Sequence, residues 1–420
     1  MTFAPGLPAL DGSHPDRLAR PRRVLLFLAI LLSGGNILIP REVLALLVLF
    51  MAIGYFGFAN WTVNKRKVLA YGWLALVMVL ALARLQDADL RANLIRFTNF
   101  LIAFALLQIY WAGGAKLKGD LVVLIRPMVY QAILTVALAL VLPPLFIPIT
   151  IGEADLYTFL GILNFHSIRE GSVRLVRPNG FFVEPGVFQI YLNILMFLLL
   201  ASRVRLRRIL PVILAIVLTQ STTGLIIAAM QLLYFSTAPL FARKFGMKGV
   251  LRIAVIAVLA IPVGFFLESN IEAKLFGEQS ASANARQYDL ISGLLVIQAN
   301  PLIGIGFNHD AYLSSSFSLN PDTDLLAAEN KEGRNNTNGI LIALYSVGLP
   351  LGLIYLLAMF RQALIPHRTL FAVILLLSLG TEPLSFTPLF AFFAFSGLCL
   401  GRRHPKQQAA PALESMAPRY

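Results

Sequence analysis

Seven basic clusters punctuate an otherwise apolar chain: "RPRR" (20–23), "NKRK" (64–67), "KLK" (116–118), "RVRLRR" (203–208), "ARKFGMK" (242–248), "RQALIPHR" (361–368) and "GRRHPK" (401–406). A bilayer crossing takes about 20 mostly apolar residues, fewer where flanking side chains snorkel. On that measure crossings fall near 24–39, 42–60, 67–84, 94–112, 121–149, 184–201, 204–219, 222–241, 249–267, 338–360, 368–381 and 384–400. The clusters mark every second junction of this series. Lys and Arg collect on the cytoplasmic side of a membrane, and here 24 of the 35 Lys+Arg lie at the marked junctions with only 4 of the 21 Asp+Glu. "RVRLRR" and "ARKFGMK" must share a side, so the chain crosses twice between them.

Composition agrees. The 420 residues are 58% hydrophobic and 13% charged, with a mean hydropathy of +0.75, where a soluble protein carries roughly 25% charged residues. The expected fold is an all-α polytopic helix bundle of about twelve membrane helices, both termini cytoplasmic. Residues 1–23 read as a disordered cytoplasmic tail, 24–400 as the membrane domain and 401–420 as a second tail. The first apolar run has no A-x-A cleavage site and reads as a retained span. The net charge of +14 is a topology signal with a contribution from anionic lipid, not a nucleic-acid footprint. A single cysteine, Cys399, excludes internal disulfides and cysteine-rich metal cages.

The cytoplasmic loops are short and hold no phosphate-binding Gly-Lys motif. The long connections, 150–183 and 268–337, both lie outside, the second between helices nine and ten; loops of that length in a tight bundle tend to be functional or disordered. The second holds "YDLISGLLVIQ" (288–298), which puts Leu290, Ile291, Leu294, Leu295 and Ile297 largely on one helical face as in an interfacial helix. "NPLIGIGF" (300–307) follows.

These outer loops mix arginines with acids and amides. The first offers Arg169, Arg174, Arg177 and Glu184; the second offers Arg286, His309, Asp310 and "NKEGRNNTNG" (330–339). Glu382 lies at the outer end between the last two crossings. Arginine suits a pyrophosphate because its planar fork donates two hydrogen bonds to one anionic group and keeps its charge. Several arginines can stabilise a departing lipid pyrophosphate without a metal. A sugar hydroxyl attacking the donor needs a proton acceptor, for which Glu184, His309, Asp310 and Glu382 are the candidates. Blander readings stand beside these: Arg169 and Arg174 as solvated charges, Arg177–Glu184 as a structural ion pair, Arg286 as an anchor to lipid phosphates. "DTD" (322–324) is too short for a metal site, and no metal or cofactor is expected.

In their order, "RPNGFFVEP", "TQSTTG", "R…NPLIGIGF" and "NNTNGILIALYSVGLPLGLIYLLAMF" resemble the O-antigen ligase and Wzy-type O-antigen polymerase superfamily over roughly residues 150–362. The resemblance implies a metal-independent glycosyltransferase of the bacterial inner membrane that takes a glycan from undecaprenyl pyrophosphate on the periplasmic face. A polymerase of this kind extends O-antigen, capsule or exopolysaccharide, with a flippase and a chain-length regulator as pathway partners. Carried over, Arg177 and Arg286 become pyrophosphate-binding residues and Glu184 an orienting carboxylate, with Arg334, Asn335 and Asn338 facing glycan or phosphate. Ligases place a histidine just before the helix after the large loop, where this chain has "RNNTNG". Asparagine is no base near neutral pH, which favours polymerase over ligase. A transporter or flippase is the competing class, but the long loop is external and the charges sit at the outer rim, with no acidic residue deep in a span.

Overall fold

The computed structural model describes residues 19–37, 39–56, 65–82, 90–111, 114–151, 154–170, 173–241, 280–320 and 336–399. These are 75% helical. The helices are α1 (Ala19–Gly34), α2 (Arg41–Phe56), α3 (Val68–Leu82), α4 (Leu90–Tyr110), α5 (Gly114–Val141), α6 (Pro185–Ala201), α7 (Leu210–Leu218), α8 (Thr222–Phe241), α9 (Ser280–Ala299), α10 (His309–Leu319), α11 (Gly339–Arg361), α12 (Arg368–Leu379) and α13 (Pro388–Leu398). Three segments, Leu90–Tyr110, Lys116–Val141 and Gly339–Arg361, are long and apolar enough to cross a membrane, and shorter apolar helices pack among them. Large apolar side chains such as Phe50, Val79, Leu94 and Leu357 are exposed on these helices, more greasy surface than a soluble monomer tolerates. The expected crossing at 249–267 lies outside the described residues.

The bundle is built around α13. Every residue of "PLFAFFAFSGL" is buried, and a helix apolar on all sides belongs in a core. Its neighbours approach closely: a Cβ at Gly397 would overlap the Ala358 carbonyl of α11, the small-residue packing that holds helices together where water supplies no driving force. Ser33 of α1 accepts a hydrogen bond from Leu389 N at 2.9 Å, satisfying an otherwise open N–H in the first turn of α13. Far along α1, roughly 16 Å away at 1.5 Å per residue, Arg22 and Arg23 both grip buried Asp120 of α5, at 2.6 and 2.7 Å, and Tyr110 donates to the same carboxylate.

The expectation of an all-α chain is corrected by a four-stranded antiparallel meander: β1 (Ile147–Ile151), β2 (Ala154–Phe159), β3 (Leu163–Glu170) and β4 (Val173–Pro178), in that order. β1 also takes the end of the run expected as the crossing at 121–149; α5 stops at Val141. The strands are rich in β-branched and aromatic residues ("IPITI", "DLYTF", "NFHSIRE", "VRLVRP"), which fit a pleated, half-buried surface. Phe146, Leu163, Phe165 and Val176 form a small core against Ala139 of α5, so the sheet sits as a cap on that helix end.

A second departure is in α11. The run 338–360 reads as one span, but Gly348 has φ +80° and ψ 160°, which breaks the helix two residues before Pro350. Pro350 has no N–H to give to the Ser346 carbonyl. The segment 301–306 fills the gap: Ile305 N donates to Tyr345 O at 2.7 Å, Gly306 N to Ser346 O at 2.9 Å, and Leu349 N to Pro301 O at 2.8 Å. Non-helical backbone is tolerated at such depth only where protein satisfies it. Gly304 (φ +70°) and Gly348 have no room for a Cβ, which would overlap Tyr345 O and Leu302 O respectively.

Gly348→Ala is therefore expected to destabilise the protein by roughly 1–3 kcal/mol from the backbone angle alone, with the overlap added. Gly72→Ala on α3, where nothing lies within 4 Å of the new Cβ, should be neutral or stabilising by up to about 1 kcal/mol. Thermal unfolding of the two purified variants in one detergent tests this; equal melting temperatures would refute the interlock.

Candidate functional site

The stretch "RPNGFFVEP" (177–185) is pinned at several points. Asn179 N donates to Asn164 O at 2.9 Å and its Nδ2 to Val183 O at 2.7 Å, while Asn164 Nδ2 reaches Gly180 O at 2.8 Å. Gly180 takes φ +63°, and a Cβ there would press on the Phe188 ring. The residues after α1 close over this loop through the Asn36–Phe182 bridge and Val183 N to Gly35 O. Pro185 then starts α6, with Glu184 at the N-cap. Proline suits that first position because its missing N–H would have no helical partner. The Glu184 side chain makes no capping hydrogen bond.

Arg177 stands at the root of the β3–β4 hairpin, opposite His166. Its Nε donates to the Thr219 carbonyl at 3.0 Å. Thr219 caps the C-terminal end of α7 in the "TQSTTG" turn, where open carbonyls favour a cation. Glu382, in the turn between α12 and α13, is 4% exposed and lies against the first turn of α6. Its carboxyl lies where a Cβ on Gly186 would be, and its carbonyl crowds Gly339 at the start of α11. Glu184 shares a hydrogen bond with the Glu382 carboxyl, and Arg177 and Arg286 of α9 both act on it electrostatically. Four residues separated by as many as 205 positions thus form one charged cluster.

The electrostatics are asymmetric. Burial first, then repulsion from Glu184, pushes the Glu382 carboxyl well above its ordinary pKa; the hydrogen bond to Glu184 adds to the rise, while the arginines oppose it. Two carboxyls this close do not ionise independently. Burial pushes the Arg177 guanidinium down to about 10, against the pull of Glu184 and Glu382, and Arg286 lowers it further. It remains a cation at neutral pH. The rise favours the neutral form of Glu382, so two guanidiniums lack a matching pair of carboxylates and the site has capacity for an anion.

The other sequence candidates lie elsewhere. Arg169 and Arg174 pair across the hairpin, roughly 10 Å along β4 from Arg177 at 3.3 Å per residue. His309 and Asp310 open α10 after the Asn308 cap. Asn338 caps α11, its Oδ1 accepting from Ile340 N and Leu341 N at 3.0 and 3.2 Å. Its neighbours are structural too: Asn336 donates to Asp289 O at 2.7 Å and Tyr312 OH at 3.0 Å, and Thr337 Oγ1 donates to Asp289 at 2.6 Å. Arg334 and Asn335 lie outside the described residues. On α9, Leu290, Ile291 and Leu294 are exposed as an interfacial face requires, but Ile297 is buried, and the packed side carries Asp289 and Ser292.

Two features escaped the sequence reading. Gln189, Asn193 and Gln231 form a buried amide network beneath the cluster, Asn193 Nδ2 to Gln189 Oε1 at 2.8 Å and Gln231 Nε2 to Asn193 Oδ1 at 3.0 Å. Arg41 and Arg96 line a separate cavity with His309; an arginine two residues into the run 94–112 was the available signal. No metal-binding group of three or more His, Cys, Asp or Glu occurs among the described residues. Comparisons with protein-family models, curated proteins and solved structures gave no match to this chain.

A raised folded-state pKa has a defined sign. Folding takes up a proton on Glu382, so its contribution to stability is complete below the ordinary carboxyl pKa and is lost as pH rises through the folded value. The melting temperature of the wild type should fall as pH rises above the ordinary carboxyl range more steeply than that of Glu382→Gln, which carries no titrating group at that position. Parallel curves would show that Glu382 is not held protonated.

Proposed function

We propose that this chain is a multi-pass inner-membrane glycosyltransferase that polymerises undecaprenyl-pyrophosphate-linked repeat units on the periplasmic face. The observation that carries the reading is the convergence of Arg177, Arg286, Glu184 and Glu382 from four separate segments. It is supported by the alternation of basic junctions, which predicts twelve crossings with both ends cytoplasmic and puts all four residues on the outer side.

In this reading the two arginines grip the donor's pyrophosphate. The acceptor hydroxyl forms a bond to the anomeric carbon, and the bond from that carbon to the phosphate oxygen breaks with its electron pair leaving on the pyrophosphate. The guanidiniums stabilise the charge that develops there. The hydroxyl proton passes to the carboxyl pair, with Glu184 as acceptor and Glu382 holding the shared proton that keeps the pair from repelling the donor. His309 and Asp310 stand outside this step. The polymerase reading is favoured over a ligase because the residues before α11, Asn336, Thr337 and Asn338, are engaged in structural hydrogen bonds and include no imidazole base.

Arg177→Ala and Arg286→Ala should each reduce chain extension by roughly 10²–10³-fold, with normal protein level and insertion. Gly186→Ala, which displaces the Glu382 carboxyl without removing it, should also impair extension. The readout is the length profile of surface and lipid-linked glycan in a deletion strain carrying each variant. Material stopped at one repeat unit supports the proposal. Long chains stranded on the lipid carrier would mean a ligase, and single units held on the cytoplasmic leaflet a flippase. Full activity of both arginine variants would refute the site.

A further inference from the structure

Pro383 and Phe386, from the same turn as Glu382, line a cavity of about 280 Å³, close to the lower size of small-molecule sites (about 300 Å³). Its charged lining comes from three places: Arg41 at the start of α2, Arg96 in the second turn of α4 and His309 at the start of α10. Among the described residues no Asp or Glu lines it. Glu42, the acid beside Arg41, is engaged by Arg91 at 2.6 Å. Phe307 and Tyr345 supply aromatic walls, and Pro383, next in sequence to Glu382, forms part of the partition. Phe307 is itself locked edge-on against Phe97, Phe100 and Phe386. An arginine inside an apolar helix is costly and is retained where it meets a partner, yet this cavity offers it no carboxylate.

We infer that Arg41, Arg96 and His309 form a second oxyanion-binding site, separate from the Arg177–Arg286 cluster and joined to it back-to-back through residues 382–386. Two planar guanidiniums suit a phosphate or a carboxylate by bidentate hydrogen bonding, and the aromatic walls suit the C–H face of a sugar ring. The ligand is therefore an anionic glycan end, carrying its charge as a phosphate group or as an acidic sugar. The identity of that ligand rests on the function proposed above: in a polymerase the second site holds the acceptor unit while the first holds the donor. The existence of an oxyanion site here does not depend on that reading.

The test is equilibrium dialysis of the full chain in nanodiscs against two probes, inorganic pyrophosphate and a glucuronate-terminated disaccharide. Wild type is expected to bind at two separable sites. Arg41→Gln/Arg96→Gln should weaken one of them by about tenfold or more, the worth of a charge-assisted hydrogen bond, and leave the other intact. Arg177→Gln/Arg286→Gln should show the reverse pattern. Loss of pyrophosphate binding in the first double variant identifies a phosphate-bearing ligand; loss of disaccharide binding alone identifies an acidic sugar. If the double variant fails to fold, His309→Gln serves, with a several-fold weakening expected for the same probe. Binding of both probes unchanged in these variants overturns the site, whereas normal glycan extension in Arg177→Ala and Arg286→Ala overturns only the proposed function.

Discussion

The break in α11 is the constraint on which this end of the bundle is organised. A helix that loses its hydrogen bonds at Gly348 and Pro350 must find other partners for Tyr345 O, Ser346 O and Leu349 N. It finds them in the 301–306 backbone, and the close approach demands two glycines at positive φ. That interlock fixes where α9 ends and α10 begins, and with them Phe307 and His309. It also holds α9 beside the start of α11, where Asp289 takes the Thr337 hydroxyl and backbone N–H. Arg286, one turn earlier on α9, is carried to the cluster by the same docking.

The cluster itself works by an imbalance. A structural ion-pair network would match each arginine with an ionised acid. Here burial and a neighbouring carboxyl push the Glu382 pKa up and favour its neutral form, which tips the balance of the cluster toward the positive charge of Arg177 and Arg286. Such a site is costly to fold without a ligand and favourable once an anion fills it, the usual exchange between stability and function at a charged, partly dehydrated centre.

Much of this was legible in the residues. The apolar runs predict helices, and an Arg and a Glu flanking "PNG" at the mouth of an apolar run predict that Arg177 and Glu184 lie together. Glu382 and Arg286 were candidates by chemistry, but no local signal joins them to that pair; the junction needs tertiary packing of α6, α9 and the α12–α13 turn. The sheet was missed because strands as short as "IPITI" carry as much apolar weight as a helix end, and hydropathy does not separate period 2 from period 3.6 in five residues. Asn338 was read as a ligand group when its position before "GILIAL" fits a helix cap equally well. Arg96 was hidden by the average hydropathy of its own helix.

Position 186 has a side chain of one hydrogen, and that vacancy is filled by an atom synthesised almost two hundred residues later. Arg177 and Glu184 are placed by α6 and by the Thr219 carbonyl at the end of α7, but the Glu382 carboxyl that packs against them arrives only with the turn before α13. α13 in turn is capped by Ser33 of the first helix. The first and last described helices thus meet beside the turn that brings Glu382 to the charges in the middle of the chain. A chain cut short of this turn would hold the arginines without Glu382, so the cluster is complete only when nearly the whole described chain is present.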